Sequence, residues 1–230
     1  MIKTGNKKYF YDTFAGDFDS HMNKYDLGKR LSIVFGELSK PGELGGKTLL
    51  DLGCGTGWFS KRAMEAGADV YSVDIGFNLL KKVAEKCNSK KIVSDGASLG
   101  IKDGVFDLVI ATESIEHTFD PKAVLGEIHR VLKDGGILIL TVPNRAWHFT
   151  VPVANMLKIR KYDGYENWVG YYELQRWLKE LGFSVEKIRG FHLFPFVLPV
   201  LNPVLDKLDS YSSLYSPVMV NIAARCKKVR

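Results

Sequence analysis

The chain has 230 residues, 46% of them hydrophobic and 25% charged, with a formal net charge of +6. That balance suits one large domain with a real core. The basic excess is dispersed over Lys81-Lys82, Lys90-Lys91 and the tail from Arg225 to Arg230, too thin to argue for nucleic acid by itself. Cys54, Cys87 and Cys226 are odd in number, far apart and without a CxxC pair, which disfavours a disulfide framework or zinc site and fits a reducing cytoplasm. Met1 to Lys8 is polar with no apolar core after it, so no signal peptide is expected. The most apolar run, Phe191 to Val204, is short for a membrane span and holds three prolines.

Taken in order, residues 1–30 alternate polar and aromatic character. Tyr11, Phe14 and Phe18 at i, i+3 and i+7 predict one helical face, a lid or packing helix on the main domain. Leu31 to Leu38 predicts a further helix closed by Lys40-Pro41-Gly42. From Lys47 the chain alternates strand and helix. Strands are expected at 48–52, 69–73, 91–94, 106–111 and 137–142, and helices at 58–66, 79–87 and 121–132. The last helix carries proline in its first turn and Asp134-Gly135-Gly136 beyond its end. This rhythm implies a parallel sheet covered on both faces. Residues 145–169 show no clear period. Tyr171 to Leu181 is an amphipathic helix, Phe183–Ile188 a strand, 190–215 an apolar, proline-punctuated insertion, and Val218–Cys226 a last strand.

Leu49-Leu50-Asp51-Leu52-Gly53-Cys54-Gly55-Thr56-Gly57-Trp58 organises the rest. A buried strand breaks into alternating glycines and resumes as a helix, leaving backbone open to a ligand. A dinucleotide fingerprint would need a third glycine where Trp58 stands, and a P-loop would need Gly-Lys-Ser/Thr. Asp74 ends the second strand, where a carboxylate can accept from both hydroxyls of a ribose; Asp95 ends the third, where it can accept from an adenine amine. Asp51 could anchor the turn or an ammonium.

Residues 49–57, Asp74, Asp95, Phe106-Asp107-Leu108-Val109-Ile110 and Leu132-Lys133-Asp134-Gly135-Gly136 resemble, in order and spacing over about 47–145, the class I S-adenosylmethionine-dependent methyltransferases of the methyltransferase type 11 group. The resemblance implies a Rossmann-like doubly wound sheet of seven strands, mostly parallel with an antiparallel last strand. It divides one domain into an N-terminal helical lid (1–46), a cofactor core (47–145) and substrate-side elements (146–230). It places S-adenosylmethionine at Asp51, Gly53, Cys54 and Gly55, at Asp74 and Ile75, at Asp95 and Gly96, and at Glu113 and Ser114.

Glu113-Ser114-Ile115-Glu116-His117 follows the fourth strand, at the sheet edge where such folds bind ligands. Glu113, Glu116 and His117 could hold Mg²⁺, or His117, with Glu116 beside it, could act as a general base. The cluster resembles that of ubiquinone-biosynthesis O-methyltransferases and of small-RNA 3′-terminal methyltransferases, where it is linked to a metal. The former likeness extends through Tyr165–Leu174 and 189–195, although the usual downstream histidine falls on Asp163. His148, Tyr165 and His192 are candidate substrate contacts among the rings of the C-terminal third. The expected reaction is methyl transfer to a small or lipid-like acceptor, foremost a hydroxyl. The competing readings are an enzyme acting on RNA or protein, and a binding module without catalysis. Residues 191–204 could touch a membrane surface peripherally, helped by Lys158, Arg160 and Lys161.

Overall fold

The computed structural model describes residues 11–156, 165–194, 207, 209 and 215–229. Seven strands form one sheet: β1 Thr48–Leu52, β2 Asp69–Asp74, β3 Lys90–Val93, β4 Phe106–Thr112, β5 Leu132–Pro143, β6 Phe183–Phe191 and β7 Asn221–Lys228. Their order across the sheet is β3-β2-β1-β4-β5-β7-β6. β7 pairs antiparallel with both neighbours, and the other pairings are parallel. The chain therefore leaves β1 toward one edge, then crosses back to place β4 on its other side. That reversal opens a crevice at the carboxyl ends of β1 and β4.

Strand periodicity sorts the core. Leu50, Leu52, Val109, Ala111, Leu138 and Leu140 point to one face, against α5 (Pro121–Val131) and α7 (Tyr171–Glu180). Leu49, Leu108, Ile110, Ile137 and Ile139 point to the other, against α3 (Trp58–Glu65) and the turn Ile33–Leu38. Each strand of the sheet's centre is apolar on both sides, as a doubly covered parallel sheet requires. Asp120 caps α5 by accepting from the N–H groups of Lys122 and Ala123, with Pro121 at its first position. α4 (Phe77–Lys86) follows β2 and packs on it.

The N-terminal region departs from the continuous amphipathic face read from Tyr11, Phe14 and Phe18. It is a 3₁₀ turn, Tyr11–Phe14, then α1 (Phe18–His21) and α2 (Lys24–Ser32). α2 runs on into a π-type turn at Ile33–Leu38, which Ser39 closes by donating its N–H to the Val34 carbonyl. Asn23 caps α2, so the chain must turn between Phe18 and Lys24 instead of continuing one helix. In the aperiodic stretch after β5 lie the turn Arg145–Trp147 and α6 (Thr150–Met156). No helix of the described residues is long and apolar enough to cross a membrane. Most of the 190–215 insertion, and Lys158, Arg160, Lys161 and Asp163, lie outside the described residues. Of the proposed membrane segment, Phe191 is fully buried at the end of β6, while Phe194 is exposed.

Candidate functional site

The glycine turn is built by backbone geometry. Gly53, Gly55 and Gly57 all have positive φ, at 67°, 53° and 88°. The N–H groups of Gly53 and Cys54 both donate to the Val73 carbonyl, which ties the turn to the end of β2. A Cβ on Gly53 would lie 2.4 Å from the Ser114 Cβ, and one on Gly57 would lie 3.0 Å from Val83. These two glycines serve packing. A Cβ on Gly55 would meet only the Phe18 ring, at 3.7 Å. Gly55 is thus the residue of the three that core packing does not require to be glycine, and it lines the cavity beside Phe18.

The cavity measures about 380 Å³ and lies at the crevice between β1 and β4. Gly53, Cys54 and Gly55 form its floor, Asp74 and Ile75 one wall, Asp95 and Gly96 another, and Glu113, Ser114 and His117 the side beyond β4. Residues from four separate segments of the chain meet here. Asp74 accepts from Gly55 N–H at 2.9 Å and Gly76 N–H at 2.8 Å, one bond on each oxygen. A carboxylate has about four acceptor sites, so capacity remains for ligand hydroxyls. Burial pushes Asp74 up to about 6, against the pull of those N–H groups. Asp95 accepts from Ala97 N–H at 3.0 Å and forms a tight turn beside Gly96.

Asp51 does not line the cavity. It shares a face with Leu49, away from the crevice, and accepts from the Ser60 hydroxyl at 2.6 Å. Ser60, Ser72 and Ser89 continue this as a chain of buried hydroxyls, each 2.6 Å from the next. Burial raises Asp51 to about 7, offset by the Ser60 bonds. Its role is to hold β1, α3 and β2 together, so the expectation of a cofactor contact is corrected.

His117 has a defined proton arrangement. Its Nδ1 lies 3.0 Å from the Tyr165 carbonyl, which can only accept, so Nδ1 carries the hydrogen. Nε2 is then the lone-pair nitrogen and accepts from the Tyr11 hydroxyl at 3.1 Å. Glu116 is buried beside the ring, 3.7 Å from Nε2, and outside the cavity lining. Its carboxylate is too distant for a hydrogen bond to the ring.

Glu113 adopts φ 47°, a left-handed conformation that costs a non-glycine residue. It is held by Asn221 Nδ2 at 3.1 Å, while Oε1 is buried without a hydrogen bond among the described residues. Burial raises its carboxyl to about 7, with the Arg30 guanidinium opposing and Asp26 adding to the rise. Arg30, on α2, also lines the cavity. Its Nη2 meets Asp26 at 2.7 Å, and its buried Nε has no partner among the described residues. The sequence reading missed Arg30, since one basic residue in an amphipathic helix carries no signal of burial.

The Mg²⁺ expectation does not fit this donor set. Both ring nitrogens of His117 are engaged, and Glu113 turns to Asn221. Among the described residues no three His, Cys, Asp or Glu side chains are grouped to hold a metal. Of the substrate candidates, only Tyr165 reaches the cavity. His192 is buried, 3.1 Å from Asp26, and its backbone N–H donates to Asp209. His148 lies in a separate cleft of about 340 Å³ with Phe119, Arg145, Trp168 and Trp177.

A glycine turn and two strand-end acids at the reversal of a doubly wound sheet define a nucleoside-binding α/β protein. A family model described as a methyltransferase domain matches residues 50–140. A ubiquinone biosynthesis O-methyltransferase of Pseudomonas paraeruginosa is 31% identical over 159 residues, covering 64% of this chain and 68% of that protein. A malonyl-[acyl-carrier protein] O-methyltransferase of Hamiltonella defensa is 32% identical over 142 residues, 61% of this chain; the match spans only 54% of that relative. A crystal structure of an S-adenosylmethionine-dependent methyltransferase from Thermotoga maritima superposes with TM-score 0.69 at 18% identity, covering 97% of this chain and 100% of that one. The chain belongs to the S-adenosylmethionine-dependent methyltransferase family.

Proposed function

We propose that the enzyme methylates a hydroxyl of a small or lipid-like acceptor. The observation that carries this reading is His117, whose Nε2 lone pair already accepts a hydrogen bond from a hydroxyl in the wall of the cofactor cavity. S-adenosylmethionine, when bound, supplies a methyl group on an activated sulfonium. The chain's own task is to hold and align. Arg30 and Glu113 stand on one side of the cavity as an opposite-charge pair of groups, suited to the carboxylate and ammonium of an amino acid. Asp74 suits ribose hydroxyls and Asp95 an exocyclic amine. Gly55 leaves room for the ligand body. Cys54, Ile75, Gly96 and Ser114 complete the walls.

His117 then accepts the acceptor's proton at Nε2 as the oxygen gains its methyl, while Tyr165 fixes the tautomer through Nδ1. Both relatives are named as O-methyltransferases, one of malonyl-[acyl-carrier protein] and one of ubiquinone biosynthesis. A carboxylate acceptor is already anionic and would need no base, so the engaged tautomer of His117 favours the hydroxyl. The test is transfer of labelled methyl to a metabolite extract, with Asp74→Ala as the binding-defective control. Label confined to RNA or protein would overturn the acceptor class. Undiminished transfer by His117→Gln would overturn the base.

A further inference from the structure

The second cleft, about 340 Å³, is large enough for a small organic molecule. Two stretches of chain run into it directly from the cofactor cavity. In the first, His117, Thr118 and Phe119 line the cavity, and Phe119, Asp120 and Pro121 line the cleft. In the second, Tyr165 lines the cavity, and Glu166, Asn167 and Trp168 line the cleft. Asn167 ties the two stretches together. Its Nδ2 donates to the Thr118 carbonyl at 2.6 Å, and its N–H to the Glu116 carbonyl at 2.8 Å. Phe119 belongs to both spaces, its ring edge-on to Tyr165 at 6.1 Å. At 82% exposed it is a large apolar ring at the junction, and core packing does not account for it.

The chemistry of the cleft suits a cation. Phe119, Trp168 and Trp177 line it, and the His148 ring stands edge-on to Trp168 at 5.3 Å. Aromatic faces carry negative potential and attract an ammonium, tryptophan most of all. Asp120 adds a carboxylate. Its Oδ1 takes both N–H groups that cap α5, and its Oδ2 has no bond to another of the described residues. Glu166 brings a second acid to the lining. Among the described residues the lining holds one guanidinium, Arg145, and it is already matched. Its Nη2 meets Glu173 at 2.6 Å, and its Nε donates to the Trp168 carbonyl at 2.9 Å. That pairing leaves the rings and Asp120 to set the sign of the cleft.

We propose that this cleft seats an organic ammonium group, and that the methyl acceptor has this group at one end and the reacting hydroxyl at the other. The second half of the proposal rests on the hydroxyl reading given above; the first half does not. A quaternary or protonated nitrogen has no lone pair, so it anchors the molecule and cannot itself take the methyl. The oxygen, reaching past Phe119 into the cofactor cavity, is the nucleophile, with His117 as its base.

Three probes of one shape test this on the full chain: choline, the dimethylbutanol with carbon in place of its nitrogen, and the matching dimethylbutanoate. The indole N–H signals of the 4 tryptophans in a nitrogen-15 spectrum report where each probe binds. Choline should move the signals of Trp168 and Trp177, assigned by Trp→Phe substitution, and leave that of Trp58 in the cofactor cavity unmoved. It should bind roughly threefold or more tightly than the neutral alcohol. Phe119→Leu and Asp120→Asn should each weaken choline by a similar factor; asparagine keeps the cap of α5, so the melting curve should hold. No saturable shift, equal affinity for choline and the alcohol, or choline binding unchanged in both variants would overturn the cation site. Tighter binding of the carboxylate would overturn it in favour of Arg145. For the acceptor, the methyl-labelled product from a metabolite extract, freed of unreacted donor, should be retained on a cation exchanger at neutral pH. Label only in neutral or anionic product would overturn the acceptor half. Absence of any transfer would overturn the hydroxyl reading, while the choline titration, which needs no cofactor, decides the cleft independently.

Discussion

Gly55→Ala and Gly53→Ala should fail in different ways, and the contrast tests how the turn is read. Both residues have positive φ, so alanine costs each about 1–2 kcal/mol of backbone strain. For a chain of this size that lowers the melting midpoint by roughly 2–8 °C. At Gly55 little else is lost in the unliganded protein, because the new methyl meets only Phe18 at ordinary contact distance. Gly55 nevertheless lines the cavity proposed for the methyl donor, where an added methyl takes space from the ligand. Affinity for S-adenosylhomocysteine should therefore fall at least tenfold, about 1.4 kcal/mol. At Gly53 the new Cβ sits 2.4 Å from the Ser114 Cβ, so the ends of β1 and β4 must part. That overlap adds about 1–3 kcal/mol of overpacking, and the midpoint should drop well beyond that of Gly55→Ala. The assays are differential scanning calorimetry without ligand and isothermal titration with it. Equal midpoints for the two variants, or wild-type affinity in Gly55→Ala, would refute the division of the turn into a packing glycine and a ligand glycine.

Arg30→Gln should weaken S-adenosylhomocysteine binding by roughly 10- to 100-fold, since a charge-assisted hydrogen bond contributes about 1.5–3 kcal/mol; calorimetric titration at constant pH checks it, and unchanged affinity would remove Arg30 from the site. His117→Gln should lower methyl transfer by about 10²–10⁴-fold while leaving S-adenosylhomocysteine affinity within a few-fold, measured by single-turnover assay. Cofactor affinity should rise by at least about tenfold between pH 5 and 8, the share that Asp74 alone would give, because a cationic ligand favours ionised Asp74 and Glu113, whose carboxyls burial raises to about 6 and about 7; a flat profile would show that neither acid titrates on binding. Stability without ligand should run the other way. Asp51, Asp74 and Glu113 have folded values raised above their unfolded ones, so the folded state binds more protons, and the melting midpoint should fall as pH rises from about 4 to about 7.

The donor half of the site is legible in the sequence, because strand-end positions are fixed by period. Gly55, Asp74 and Asp95 each end or follow a strand whose apolar run is unmistakable, and a parallel sheet brings such ends to one edge. Asp51 misled for the same reason. It lies next to the turn in sequence, but period two directs it to the face opposite Leu50 and Leu52, where Ser60 waits. Counting parity along β1 would have shown this. Arg30 was out of reach, and Tyr11 was legible only as part of a lid or packing face, not as the partner of His117. Their places depend on how α2 and the N-terminal turn fold back over the crevice, and no local pattern encodes that approach. His192 looked accessible beside apolar rings, yet its φ of 58° and its bond to Asp26 bury it. Mg²⁺ was suggested by residue types at close spacing. In the structure the His117 nitrogens are taken by Tyr11 and the Tyr165 carbonyl, and Glu116, 3.7 Å from the ring, stays outside the cavity lining.

The two halves of the site differ in the physical means that hold them, and this bears on which of them can change. Asp74 is fixed by backbone N–H groups of two turns, and Gly53 and Gly57 by contacts of the core, so the donor walls cannot shift without parting strands. His117 is fixed by one carbonyl from Tyr165, in a segment that crosses to it by the Asn167 N–H bond to the Glu116 carbonyl. Its other nitrogen meets Tyr11, on a segment held by exposed or half-buried anchors. Exposed ion pairs contribute about 0–1 kcal/mol each, so the acceptor side can rearrange at a cost that ligand binding easily offsets. A rigid donor site beside a yielding acceptor site is what methyl transfer asks of a protein. The reaction needs one fixed sulfur–carbon axis and a nucleophile brought onto it after both ligands are enclosed.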